Sequence, residues 1–336
     1  MIGRIRRMRW IAFCLRERGG VCYFPNQDNV GSVMRIDIAA QSDVGRHKRN
    51  NEDFYGVFRE DTPGLRLFKE GALLCVADGL GGHVGGEIAS KLAVSLLKDT
   101  LQLDPPDPDE TADETKDSPY LEVLRGGIRK ANDSIHATNK ELVRGSRPMG
   151  TTLLAALVEP KKVHIANVGD SRCYHIRDGE ILAKTEDHSW VDEQVKLGLM
   201  SRAEAESDRR RNIVTRCIGT HPEVEIDSYI WHVVPGDVLM LCSDGLINMV
   251  KESEIKEEFR RGGSSADIAH RLIDRANENG GKDNITVIVA RISPTVGQRF
   301  KAFFRSHGMK LLWSLATLAF GAACFAAGYW LRGVKF

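Results

Sequence analysis

The chain has 336 residues, enough for one large domain or two small ones, with 42% apolar residues, 28% charged residues and a formal net charge of +1. That balance gives no global argument for nucleic acid or for an acidic partner. Seven scattered cysteines contain no Cys-x-x-Cys pair, which argues against a zinc ribbon or disulfide framework and for a reducing cytosol. Residues 1–33 form a basic extension in which Arg4, Arg6, Arg7, Arg9, Arg16 and Arg18 surround a short apolar patch, Trp10 to Leu15. The patch is too short for a signal peptide. A membrane-surface arm is one reading; an extension without fold, or translation from Met34, is the favoured one.

Met34, Ile36, Ile38 and Ala40 alternate with polar residues and predict the first strand of a domain over 34–293. A loop over 42–53 leads to a strand at Phe54–Phe58, and the run Ala72–Ala77 predicts a buried strand. The glycine-rich loop Gly79–Gly86 opens a helix with Ile88, Ala89, Leu92, Ala93, Leu96 and Leu97 on one face. Four prolines and seven acids mark 102–119 as a mobile acidic connection. A second helix places Leu121, Leu124, Ile128, Ala131 and Ile135 in a stripe that covers a sheet face.

Strands resume at Thr151–Val158 and Val163–Val168. Residues 185–221 are polar, with short helical patches at Trp190–Leu199 and Arg202–Ser207. Pro235-Gly236-Asp237 turns the chain into the run Val238–Ser243, helices follow near Ser253–Arg260 and Ser264–Asn279, and the last strand follows Asp283. Strands in neighbouring pairs, with helices grouped between them, argue for an antiparallel α+β architecture over a doubly wound parallel sheet. Residues 294–310 form a basic linker. Residues 311–331 carry no charge over 21 positions, the length of a transmembrane helix. Arginines and lysines concentrate before that span, which keeps the domain cytoplasmic and makes the anchor single-pass and C-terminal. Ala319, Ala323 and Ala327 form a small-residue stripe that suits a homodimer through the span; ordinary alanine content explains it equally.

Asp78, Asp170 and Asp244 each close an apolar run, and Asp283 opens one. Antiparallel pairing sets the end of one strand beside the start of the next, so the four carboxylates can share one rim. Such a rim needs counter-charge, and oxygen donors suit magnesium or manganese.

Asn51-Glu52-Asp53, Asp78-Gly79-Leu80-Gly81-Gly82-His83, Gly150-Thr151-Thr152, Val168-Gly169-Asp170-Ser171-Arg172, Ser243-Asp244-Gly245 and Asp283-Asn284 stand in the order seen in metal-dependent Ser/Thr protein phosphatases of the type 2C class. The chain resembles the bacterial branch of that family over about three quarters of its length. The resemblance implies a central β-sandwich flanked by helices, a four-layer αββα fold, with a two-metal site on one sandwich edge and residues 188–220 as a mobile flap beside it. It implies hydrolysis of phosphoserine and phosphothreonine by attack of a metal-bridging water or hydroxide at a manganese or magnesium centre. Phosphorylated proteins and a cognate Ser/Thr kinase are the partners it implies. Asp78 resembles the carboxylate that bridges both metals, and Gly79 lends its carbonyl. Asp244 and Asp283 resemble ligands of one metal, Glu52 and Asp53 ligands on the side of the other, and Asp170 the acid of a third, weaker site.

Two positions depart from the family. Lys48 stands where an arginine usually grips the substrate phosphate, and lysine lacks the bidentate fork; Arg46 or Arg49 is placed to compensate. Leu80 replaces the histidine found in the eukaryotic branch, leaving His83 as candidate general acid, or only as a loop residue that orders water. A pseudophosphatase that binds partners without catalysis and a hydrolase of small phosphoesters are the competing functions.

Overall fold

Residues 22–24, 34–59, 62, 71–81, 84–103, 118–141, 148–159 and 161–294 are described by a computed structural model of the chain. Side chains along the central strands alternate between two covered faces, as a period of two requires when both faces are buried. Leu73, Cys75 and Ala77 point one way, into a core with Leu97, Leu124 and Ile128. Ala72, Leu74 and Val76 point the other way, into a core with Leu239, Leu241 and Ile288. Val238, Met240 and Cys242 turn to a third core with Ile255, Leu272 and Ile273. Three cores separate four layers, so the αββα sandwich is present.

One sheet has the order β1 (Cys22–Phe24), β2 (Met34–Asp43), β13 (Ile285–Pro294), β12 (Val238–Cys242), β9 (Arg172–Arg177) and β10 (Glu180–Lys184). The other has the order β11 (Asp227–His232), β8 (Lys162–Val168), β7 (Leu153–Val158), β4 (Ala72–Ala77) and β3 (Phe54–Arg59). A two-stranded ribbon joins β5 (Gly79–Leu80) to β6 (Gly150–Thr151). Every strand pair with a described register is antiparallel. Helices α1 (Val84–Leu103) and α2 (Pro119–Glu141) cover the second sheet, and α5 (Asp244–Ile247), α6 (Glu252–Arg261) and α7 (Ser265–Glu278) cover the first. Short helices α3 (Trp190–Lys196) and α4 (Arg202–Ser207) lie in the 188–220 segment.

Three sequence expectations change. The extension 1–33 contributes a strand, since Cys22 pairs with Ala40 and Phe24 with Ile38; a three-residue strand has no readable period. The buried stripe of α1 is Ala89, Ala93, Leu97 and Leu101, whereas Ile88 is exposed. Residues four apart stack on one helix face, and Ile88 lies a step of about 100° away from Ala89. The strand predicted as Thr151–Val158 is interrupted at Thr152, whose side chain serves the site instead. By its contacts the chain divides into Met1–Asp28 with Met34–Ser293, and Asn29–Val33 with Pro294–Phe336. Apart from Pro294, the linker 294–310 lies outside the described residues, as do the span 311–331, residues 104–117 of the acidic connection and His83. Among the described residues no helix is long and apolar enough to cross a membrane.

Candidate metal centre

The carboxylates meet because β3 and β4 pair with Phe54 opposite Ala77, which sets Asp53 beside Asp78. On the facing sheet β12 pairs with β13, Cys242 opposite Val287, which sets Ser243 and Asp244 beside the start of β13. Asp53 joins the two sheets: its Oδ2 accepts 2.7 Å hydrogen bonds from Ser243 Oγ and from Thr286 Oγ1. Ser243 belongs to the Ser243-Asp244-Gly245 motif, whereas Thr286 lies in the apolar run after Asp283 and belongs to no motif. Their hydroxyls hold a carboxylate far away in the chain, a task that no local pattern marks.

Backbone ties fix the rest. Asp78 N donates to Thr152 Oγ1 at 2.8 Å, and Asp78 O accepts from Thr152 N at 2.9 Å and from Thr151 Oγ1 at 2.8 Å. Asn284 accepts from Glu52 N through Oδ1 and donates through Nδ2 to the carbonyls of Val44 and Asn50, each at 2.9 Å. Ser90 Oγ on α1 donates to Glu52 O at 2.7 Å. Gly86 lies so close to this edge that a Cβ there would meet Glu52 Oε2 at 2.5 Å and the Gly79 carbonyl carbon at 2.8 Å, so the first turn of α1 packs on the Glu52 carboxylate and the Gly79 backbone.

Burial leaves these acids short of solvation. Burial pushes Asp53 up to about 7, against the hydrogen bonds from Thr286 and Ser243, with Asp244 and Asp283 adding to the rise. Asp244 is pushed up to about 6 by burial and the Asp283 charge. Asp78 is raised by burial, then by Asp53, Asp244, Asp170 and Asp283. Asp170 is raised by burial, then by Asp244 and Asp187. Asp53, Asp170, Asp244 and Asp283 all act electrostatically on Asp78.

Among the described residues, no three His, Cys, Asp or Glu side chains form a ready-made cage; the acids are linked pairwise. Asp53 Oδ1 and Asp244 Oδ1 are nevertheless buried without a hydrogen-bond partner. Buried carboxylate oxygens without donors are costly unless a cation meets them. The donors are all oxygen, so the residues fit a hard divalent cation.

The remaining predicted residues fall into place unevenly. Lys48 Nζ lies 2.6 Å from Asp283 Oδ1. Arg46 is exposed, and the described tie at that position is its backbone N–H to Gly281 O at 2.7 Å. In the 188–220 segment, Arg210 lies 3.6 Å over the Trp190 ring and binds Asp208, which braces the segment. Asp187 and His188, which resemble triad parts, are separately engaged. Asp187 takes a bidentate pair from Arg172 at 2.6 Å, and His188 Nδ1 accepts from Gly169 N at 3.0 Å.

Comparison with known proteins agrees with this geometry. Residues 51–287 match the family described as Protein phosphatase 2C. The Serine/threonine phosphatase stp of Listeria monocytogenes is 37% identical over 257 residues, covering 74% of this chain and 93% of that protein. The crystal structure of the Mycobacterium tuberculosis serine/threonine phosphatase PstP/Ppp superposes with a TM-score of 0.64 at 35% identity, over 77% of this chain and 99% of that one. A structure of the PstP catalytic domain in complex with two manganese ions gives a TM-score of 0.62 at 34% identity, over 78% and 100%. Fold, ordered motifs and matched length coincide: the chain belongs to the protein phosphatase 2C family, in its bacterial type.

Proposed function

We infer that the chain is a metal-dependent protein phosphatase that hydrolyses phosphoserine and phosphothreonine. The observation that carries this reading is the buried rim on which Asp53 and Asp244 each keep one oxygen without a donor. Asp78 and the Gly79 carbonyl would serve both halves of the site; Asp244 and Asp283 would hold one manganese or magnesium ion, and Glu52 and Asp53 would serve the other. Asp170 would serve a third, weaker position. Bound cations neutralise the phosphoryl oxygens and make hydroxide available near neutral pH. The chain's own part is to hold, orient and charge the site. Ser243 and Thr286 keep Asp53 aimed, Asn284 fixes Glu52 and the loop before it, and Lys48 supplies a point charge for the phosphate. His83 is the candidate donor of a proton to the leaving alkoxide.

Cysteine chemistry is disfavoured, because Cys75 and Cys242 are buried and their thiols are raised, Cys242 to about 12, chiefly by burial. Substrates are phosphorylated proteins, as the names of the relatives indicate for them. The domain is tied to a membrane by residues 311–331 and faces the cytoplasm.

The test is manganese-dependent phosphate release from a phosphothreonine peptide by wild type, Asp78→Asn and Asp244→Asn. Both variants are expected to lose at least about a hundredfold in activity, and equal activity in all three would remove the metal assignment. A free nucleotide hydrolysed faster than the peptide would favour a small-molecule hydrolase.

A further inference from the structure

Lys48 is not an ordinary surface lysine. The loop that carries it is fastened to the segment that carries Asp283 at three points: Arg46 N to Gly281 O at 2.7 Å, and Asn284 Nδ2 to the carbonyls of Val44 and Asn50 at 2.9 Å. These ties hold the ammonium over the rim, where Nζ reaches Asp283 Oδ1 at 2.6 Å. The same oxygen accepts from Asn284 N at 2.8 Å, so two donors share it.

We propose that Lys48 is a resident counter-ion of Asp283, which a divalent cation must displace and whose release turns the ammonium toward the incoming phosphate. This rests on the metal-site reading above and adds a coupling to it. A cation arriving at Asp283 meets a carboxylate oxygen already engaged and a positive charge beside it, so Lys48 weakens cation binding. Once displaced, the ammonium remains tethered over the site and strengthens phosphate binding. A neutral residue at 48 therefore moves the two affinities in opposite directions, which loss of structure would not do.

The experiment titrates manganese into metal-stripped wild type, Lys48→Gln, Lys48→Arg and Lys282→Gln, reading free Mn2+ by electron paramagnetic resonance. It then measures inhibition of the loaded enzyme by inorganic phosphate. Lys282 is exposed and adjacent in sequence to Asp283, so its variant removes the same charge without removing the ion pair. Lys48→Gln is expected to bind one class of Mn2+ about two- to fivefold tighter, the range of a half-exposed ion pair. Its phosphate inhibition constant should rise several-fold. Lys48→Arg is expected to keep wild-type Mn2+ affinity and to bind phosphate more tightly through its fork. Unchanged or weaker Mn2+ binding in Lys48→Gln overturns the proposal, and so does an equal gain in Lys282→Gln. Wild type that binds no Mn2+ removes the metal-site reading itself, a result distinct from both.

Discussion

Asp53 is a carboxylate kept in a dry interior by two hydroxyls, and its energetics follow from that. Its folded pKa, near 7 against an ordinary 3.8, means that the folded state holds a proton the unfolded chain releases. That contribution to stability is complete below pH 3.8 and is lost as pH rises through about 7. Metal-stripped protein is therefore expected to lose stability from about pH 4 to about pH 7 by a few kcal/mol from this group, and Asp53→Asn to flatten that part of the profile in urea titrations. A parallel slope in both proteins would mean that Asp53 does not carry it. Thr286→Val removes one of the two donors to Asp53 Oδ2. At pH 8, where the acceptor is charged, it should cost about 1.5–3 kcal/mol in the same assay. Manganese should narrow the difference, because a cation then supplies the missing counter-charge.

Strand β9 carries its charges on partners from neighbouring elements. Asp237, fully buried just before β12, accepts from Arg177 Nε at 2.6 Å, Arg177 Nη2 at 2.9 Å, His175 Nε2 at 2.8 Å and Val234 N at 2.9 Å. Burial alone would raise its pKa, but Arg177, the Val234 N–H and His175 outweigh it and hold the carboxyl below its usual range. The linked stability is present above pH 3.8 and is lost as pH falls through the depressed value. Asp237→Ala should cost roughly 3 kcal/mol, since it strands a buried histidine and half of an ion pair, while leaving Mn2+ affinity in place; calorimetry and metal titration separate the two. This network also explains why β9 was not legible. Arg172, His175 and Arg177 look like loop residues until Asp187 and Asp237 arrive from elsewhere to satisfy them. The central strands were legible because both faces are apolar, as in Leu73–Val76 and Leu153–Leu157. The carboxylates of the site were legible as breaks at the ends of such runs. The groups that aim them, Ser243, Thr286, Asn284 and Thr152, act across sequence separations that no periodicity records.

The membrane assignment rests on a different part of the chain and stands or falls separately. Residues 311–331 are 21 consecutive uncharged positions, about 30 Å as a helix, the thickness of a bilayer core. Arg291, Arg299, Lys301, Arg305 and Lys310 precede them, so under the proposed membrane reading the catalytic unit would face the cytoplasm. A tether of this kind would confine the enzyme near membrane-bound phosphoproteins and raise their effective concentration without altering the site. Full-length chain is therefore expected to pellet with membranes and to resist release by high salt, since an apolar span is not held by screened charges. A chain ending at residue 308 should remain in the supernatant and release phosphate from a soluble phosphothreonine peptide at the full-length rate. The difference between the two should emerge only on a membrane-anchored phosphoprotein, where the truncated form is slower. Truncated protein that still pellets would place the membrane contact elsewhere, with the basic residues Arg4 to Arg18 the first segment to test.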